Sequence, residues 1–137
     1  MDNTTPYVAI VDDDASVCRA IRRLLFSVGI ESESFLSGDE FLRVWSETLD
    51  RKAGCIILDI HMPGTNGLDV QRQLSGCGVP VIVVTAFDEI GLRQQALASG
   101  AAGYLRKPIT DSILISTVKA ALDNSSPSDS SGFDSPA

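Results

Sequence analysis

Asp59 ends the apolar run Cys55-Ile-Ile-Leu, and Asp12-Asp13-Asp14 follows the run Tyr7-Val-Ala-Ile-Val11. Thr85 ends a third such run, and Lys107 stands before Pro108 after a fourth. Carboxylates, a hydroxyl and an ammonium thus sit where apolar segments stop. Acids brought together repel one another, so at least one resists ionising. A hard divalent cation removes that repulsion. Mg²⁺ prefers oxygen ligands, takes few carboxylates and keeps several waters. A carboxylate beside such an ion can attack phosphorus. The ion neutralises phosphoryl oxygens and helps to align an in-line displacement. Lys107 offers a point charge for another phosphoryl oxygen. The Thr85 hydroxyl can donate to a third, and small Ala86 leaves room beside it. The chemistry that uses all of these groups is phosphoryl transfer to Asp59.

The elements that must position them alternate along the chain. Tyr7 to Val11 reads as a first strand, followed by a helix with Val17, Ile21, Leu24, Leu25 and Val28 at three-to-four spacing. Asp14 or Ser16 can cap that helix, and Gly29 ends it. Glu31 to Phe35 is a more polar strand, expected at or near a sheet edge. Ser37-Gly-Asp-Glu40 has the pattern of a capping box. It opens a second helix with Phe41, Leu42, Trp45 and Leu49 facing inward. Cys55 to Asp59 is a third strand, apolar enough to be buried on both faces. A short helix spans about Leu68 to Leu74, and Ser75-Gly-Cys-Gly78 closes it. Val79 to Thr85 is the most β-prone run, with Pro80 near its start. A fourth helix covers about Asp88 to Ser99, weakened near its start by Gly91, and ends at Gly100. Gly103 to Pro108 is a short last strand, and a fifth helix runs from about Thr110 to Leu122.

This alternation predicts an α/β fold. It is a flavodoxin-like (βα)5 doubly wound parallel sheet of order 2-1-3-4-5. All strands then end on one edge, where open α/β sheets place their ligands. Taken singly, each candidate has an ordinary explanation. Asp14 caps a helix, Asp59 is a loop carboxylate, Thr85 is a β-branched strand residue, and Lys107 is a solvated lysine. Their convergence on one edge argues for a site.

The chain has 137 residues, a net charge of −7 and no basic run. That suits one domain and argues against direct nucleic-acid binding, which relies on Lys and Arg. The N-terminus lacks a secretory pattern, and no apolar run approaches a membrane span. The three cysteines, Cys18, Cys55 and Cys77, form no CxxC and read as buried free thiols in a reducing cytoplasm. Residues 1–123 read as one domain. Residues 124–137, rich in Ser, Pro and Asp, read as a disordered linker or tail.

The sequence resembles the receiver (phosphoacceptor) domains of two-component response regulators. Val11-Asp12-Asp13-Asp14, Leu58-Asp59-Ile-His-Met-Pro63-Gly64, Gly67, Thr85-Ala86 and Tyr104-Leu-Arg-Lys107-Pro108 carry the resemblance. It covers about Val8 to Leu122. The pair Arg106-Lys107 and the spacing look most like the FixJ/NarL transcriptional type. The resemblance implies that Asp59 is the phosphoacceptor and that Thr85 and Lys107 bind the phosphoryl group. It implies Mg²⁺, with Mn²⁺ as an alternative, held by Asp12, Asp13, Asp59 and the backbone carbonyl of His61. Thr85 and Tyr104 would be the switch residues, acting on the face made by helix 4, strand 5 and helix 5.

The expected protein is a cytoplasmic signalling domain and not a turnover enzyme, although it catalyses its own phosphorylation and dephosphorylation. Its partners would be a sensor histidine kinase, docking mainly through helix 1, and a second copy through the helix 4–strand 5–helix 5 face. A membrane and direct nucleic-acid contact are not expected. The output would be transcription through a DNA-binding domain beyond this chain; a stand-alone receiver is the alternative. A Mg²⁺-dependent phosphatase of the haloacid-dehalogenase type would carry its nucleophile in a DxD after strand 1 and add a second domain or cap, whereas here strand 1 ends in Asp12-Asp13 and the expected acceptor is on strand 3. A flavodoxin-like ligand module would have Ser, Thr and Gly there instead of three acids.

Overall fold

The computed structural model describes residues 7–47, 53–62, 67–74, 78–86 and 90–124. Among them five strands and five helices alternate: β1 (Val8–Val11), α1 (Ala15–Ser27), β2 (Ser32–Phe35), α2 (Gly38–Glu47), β3 (Cys55–Asp59), α3 (Gly67–Gln73), β4 (Val81–Thr85), α4 (Ile90–Ala98), β5 (Gly103–Arg106) and α5 (Asp111–Asn124). The strands form one parallel sheet in the order β2-β1-β3-β4-β5. The expected flavodoxin-like order is therefore observed.

The period of two along each strand sorts the core into two layers. Val8 and Ile10, Cys55 and Ile57, and Ile82 and Val84 join α1 and α5 through Ile21, Leu25, Leu114 and Val118. Ala9 and Val11, Ile56 and Leu58, and Val81 and Val83 join the other layer through Phe41, Val70, Leu74 and Ala96. Both faces of the three central strands are covered, which is why they read as unbroken apolar runs. β2 lies at an edge and is correspondingly the more polar strand.

Helix ends follow side-chain chemistry. Asp14 is the N-cap of α1, its carboxylate accepting from the Ser16 and Val17 amides. Gly29 and Gly100, just past α1 and α4, adopt φ of 82° and 95°, the left-handed conformation that closes helices. The capping box at α2 is only half formed. The Glu40 amide donates to Ser37 Oγ at 3.0 Å, but the Glu40 carboxylate accepts from Leu36 rather than Ser37. Val28, expected on the inner face of α1, is instead its exposed C-cap residue. α5 continues to Asn124, one residue into the stretch assigned to the tail. Leu49, Cys77 and Asp88 lie outside the described residues, as does the tail from 125 onward. No helix among the described residues is long and apolar enough to cross a membrane.

Candidate functional site

Strand register brings the acids together. Val8 pairs with Cys55 and Val11 with Leu58, so one further step sets Asp12 beside Asp59. Both carboxylates are buried, each residue 4% exposed. Asp13 is exposed at the mouth. Oxygens of Asp12, Asp13 and Asp59 all lie within 4.8 Å of one another. Asp12 is held in place locally: its Oδ1 accepts from the Asp14 amide at 2.9 Å.

Lys107 closes the group from the far side of the sheet. β5 pairs with β4 up to Thr85 and Arg106, and the next amide, that of Lys107, donates to the Thr85 carbonyl at 2.8 Å. The side chain then reaches back, and Nζ donates to Asp12 Oδ2 at 2.9 Å and lies 3.7 Å from Asp59 Oδ2. The Lys107–Pro108 peptide is cis.

The electrostatics follow from crowding. Burial, reinforced by the Asp12 charge, raises the Asp59 pKa to about 6, against the lowering effects of Lys107 and of a hydrogen bond from the His61 backbone. For Lys107, burial works to lower the pKa. The hydrogen bond to Asp12 and the charges of Asp59, Asp12 and Asp13 outweigh it, and the net shift is upward. One ammonium among three carboxylates leaves an excess of negative charge. The donor set is all oxygen, partly buried and open on the Asp13 side. These residues fit a hard divalent cation such as Mg²⁺.

Thr85 is fully buried at the end of β4, and Ala86 beside it is exposed. By strand parity Thr85 belongs to the layer of Val81 and Val83, against which half-buried Tyr104 packs. The His61 side chain is exposed. Asp14, the third acid of the run, is spent on the helix cap, where hydrogen bonds from Ser16, first from its side chain, lower its pKa.

Two features escaped sequence reasoning. An apolar groove of about 470 Å³ lies beside the acids, with Val17, Leu24, Ala86, Lys107, Pro108 and Ile109 among its walls. The second is Gln71, buried at a position where the apolar pattern of α3 calls for a hydrocarbon. Its polarity amid Val70 and Leu74 was the available signal.

Comparison with known proteins accords with this geometry. The family model described as "Response regulator receiver domain" matches residues 8–119. The response regulator protein TodT of Pseudomonas putida is 36% identical over 125 residues, covering 89% of this chain and 53% of the relative. The transcriptional regulatory protein FixJ of Azorhizobium caulinodans is 37% identical over 120 residues, covering 86% of this chain and 56% of the relative. The chain therefore spans about half the length of these curated relatives. A response regulator receiver protein from Burkholderia phymatum has a crystal structure that superposes with a TM-score of 0.80 at 57% identity, covering 87% of this chain and 96% of that one. With one parallel sheet whose acids converge at one edge, and a family match over nearly all the described residues, the chain belongs to the response regulator receiver domains of two-component signalling systems.

Proposed function

We propose that Asp59 is the acceptor of a phosphoryl group passed from a phosphohistidine of a sensor kinase. The observation that carries this reading is the closure of Asp12, Asp13, Asp59 and Lys107 around one point at the sheet edge. An ionised Asp59 oxygen attacks phosphorus; the P–O bond forms as the P–N bond breaks, and the imidazole leaves. Asp12, Asp13, Asp59 and the His61 carbonyl are the residues that would hold Mg²⁺ or Mn²⁺. The bound ion supplies charge neutralisation on the phosphoryl oxygens. Lys107 moves its ammonium from Asp12 to a phosphoryl oxygen, and the Thr85 hydroxyl donates to another. Movement of Thr85 toward the phosphoryl group vacates space that Tyr104 fills, which alters the α4–β5–α5 face.

The apolar groove between α1 and α5 supports the kinase as donor. It opens beside Lys107 and Ala86, where an amphipathic helix could lay its apolar face. Exposed Leu97 on α4 and Ile113 on α5, 46% and 50% exposed, support self-association through the α4–β5–α5 face in the phosphorylated state. FixJ, a transcriptional regulatory protein of which this chain covers 56%, supports a transcriptional output, which the proposal assigns to a DNA-binding domain additional to the receiver.

The test is labelling with acetyl phosphate and Mg²⁺, wild type beside Asp59→Asn. Labelling of wild type alone is expected. Equal labelling of both proteins refutes the assignment.

A further inference from the structure

Among the described side chains of α4, apolar anchorage is slight: only Ala96 is buried, and Leu97 beside it is half exposed. An alanine contributes little buried area. The C-terminal end of the helix is held by polar means. Gln71, in α3, is 3% exposed, and its Nε2 donates to the Ala96 carbonyl at 3.1 Å. The same carbonyl accepts from the Ala101 amide at 3.0 Å, just where Gly100 closes α4. The carbonyl partner settles the orientation of the amide, since only its NH₂ can donate. The other end, Oε1, is buried without a hydrogen-bond partner among the described residues. Buried side-chain oxygens are usually satisfied, so this one calls for an explanation.

The opposite end of α3 is fixed to the acidic site. Gly67 lies one turn before Gln71, on the same side of the helix. Its amide donates to the Ile60 carbonyl at 2.9 Å. It packs so closely that a Cβ there would stand 2.3 Å from the Asp59 carbonyl oxygen. A single helical turn therefore connects the Asp59 backbone to the end of α4.

We infer that Gln71 is a latch by which α3 holds α4, and that it gives the Asp59 strand a route to α4 separate from Thr85 and Tyr104. Its amide nitrogen pins the C-terminal turn of α4 in the present arrangement. Its oxygen, unpartnered among the described residues, favours a change of partner when α4 moves. Gln71 is a positioning residue, acting on the site only through the backbone at Gly67. The regulatory half of this proposal rests on Asp59 being the phosphoacceptor; the latch itself does not.

Native-state hydrogen exchange on the full 137-residue chain tests the latch. Gln71→Met keeps an unbranched side chain but removes the donor. Val70→Ala, next in sequence, removes buried packing and keeps the amide. In Gln71→Met the Gly100 and Ala101 amides should exchange about tenfold faster or more, while the β1 and β3 amides hold their rates. Val70→Ala should not produce that local pattern. Adding Mg²⁺ and beryllofluoride should shift the α4 amide resonances of wild type. In Gln71→Met those resonances should already lie displaced toward the bound positions. Gly100 and Ala101 rates unchanged in Gln71→Met, or raised no more than in Val70→Ala, overturn the latch. Wild-type α4 resonances that ignore beryllofluoride overturn the Asp59 reading and the regulatory half, leaving exchange to decide the latch. Should Gln71→Met fail to fold, the wild-type Gln71 side-chain NH₂ decides. Protection beyond that of exposed Gln94 is expected, and equal exchange overturns the proposal.

Discussion

Lys107 reaches back across 95 residues of chain to donate to Asp12 Oδ2 at 2.9 Å, closer than its 3.7 Å approach to Asp59. The ammonium thus occupies part of the charge deficit that a divalent cation would fill. In metal-free buffer, Lys107→Ala should lower stability by about 1–2 kcal/mol, less than for a fully buried pair because the lysine side chain is 21% exposed. Mg²⁺ should then stabilise the variant more than wild type, because Asp12 no longer holds a competing ammonium. Urea denaturation in chelator and in Mg²⁺ measures both. An equal Mg²⁺ increment in the two proteins contradicts the competition.

Asp59 makes stability depend on pH in an unusual direction for a carboxylate. Its pKa is raised to about 6 from 3.8, first by burial and then by Asp12, so the folded chain binds the proton more tightly than the unfolded chain. Its stabilising contribution is full below about pH 4 and is lost as pH rises through about 6. At pH 7 without metal, Asp59→Asn should therefore be more stable than wild type. The upper bound is about 3 kcal/mol for a shift of this size, and solvent screening from the Asp13 side reduces the expectation to about 1–2 kcal/mol. The difference should vanish near pH 4 and reverse in Mg²⁺. Denaturation curves at pH 7, 5.5 and 4 in chelator follow it; a flat difference across that range rules out a raised Asp59 pKa.

Mg²⁺ binding should weaken on the acid side for the same reason. Protonation of Asp59 removes one of the three carboxylates, so affinity measured by calorimetry should fall as pH drops below about 6. An affinity constant from pH 7 to 5 would mean either that Asp59 is not a ligand or that its pKa is not raised.

Gly67 is required by contact, not by backbone conformation. A methyl group there would press on the Asp59 carbonyl and on Ile60 Cα, at 2.3 and 2.6 Å, both of them backbone. Gly67→Ala should cost about 3 kcal/mol and slow labelling of Asp59 by displacing it. Thermal denaturation and acetyl phosphate labelling read the two effects. Wild-type values in both would show that α3 can move away freely.

Cys18 and Cys55 should be inert in the folded chain. Burial raises Cys18 to about 11 and Cys55 to about 12, and each is at most 3% exposed. In a Cys77→Ser background, iodoacetamide at pH 8 should leave the native protein unmodified and alkylate both thiols in guanidinium. Rapid native alkylation at Cys18 would indicate opening between α1 and β2.

Local signals carried the fold well. Apolar runs marked the three central strands, and β3 spans the expected Cys55–Asp59. Element ends moved by one or two residues where a cap, not periodicity, decides the boundary. β4 starts at Val81, past Pro80, while the expected start of α4 at Asp88 lies outside the described residues. Pairing details were less legible. Glu40 caps through Leu36 because its carboxylate meets that amide first, a matter of loop path that the Ser-x-x-Glu pattern does not encode.

Which chemical groups stand at the active edge is determined by the sequence alone. Residues that end parallel strands must lie on one side of a sheet, so Asp12, Asp59, Thr85 and Lys107 needed only their strands to be recognised. Their relations to one another belong to the tertiary structure. Register sets Asp12 beside Asp59, the reach of Lys107 selects Asp12, burial raises the Asp59 pKa, and Gln71 ties α3 to α4. Each of these depends on distances between segments far apart in the chain and on the water excluded around them, and neither quantity is carried by local residue order.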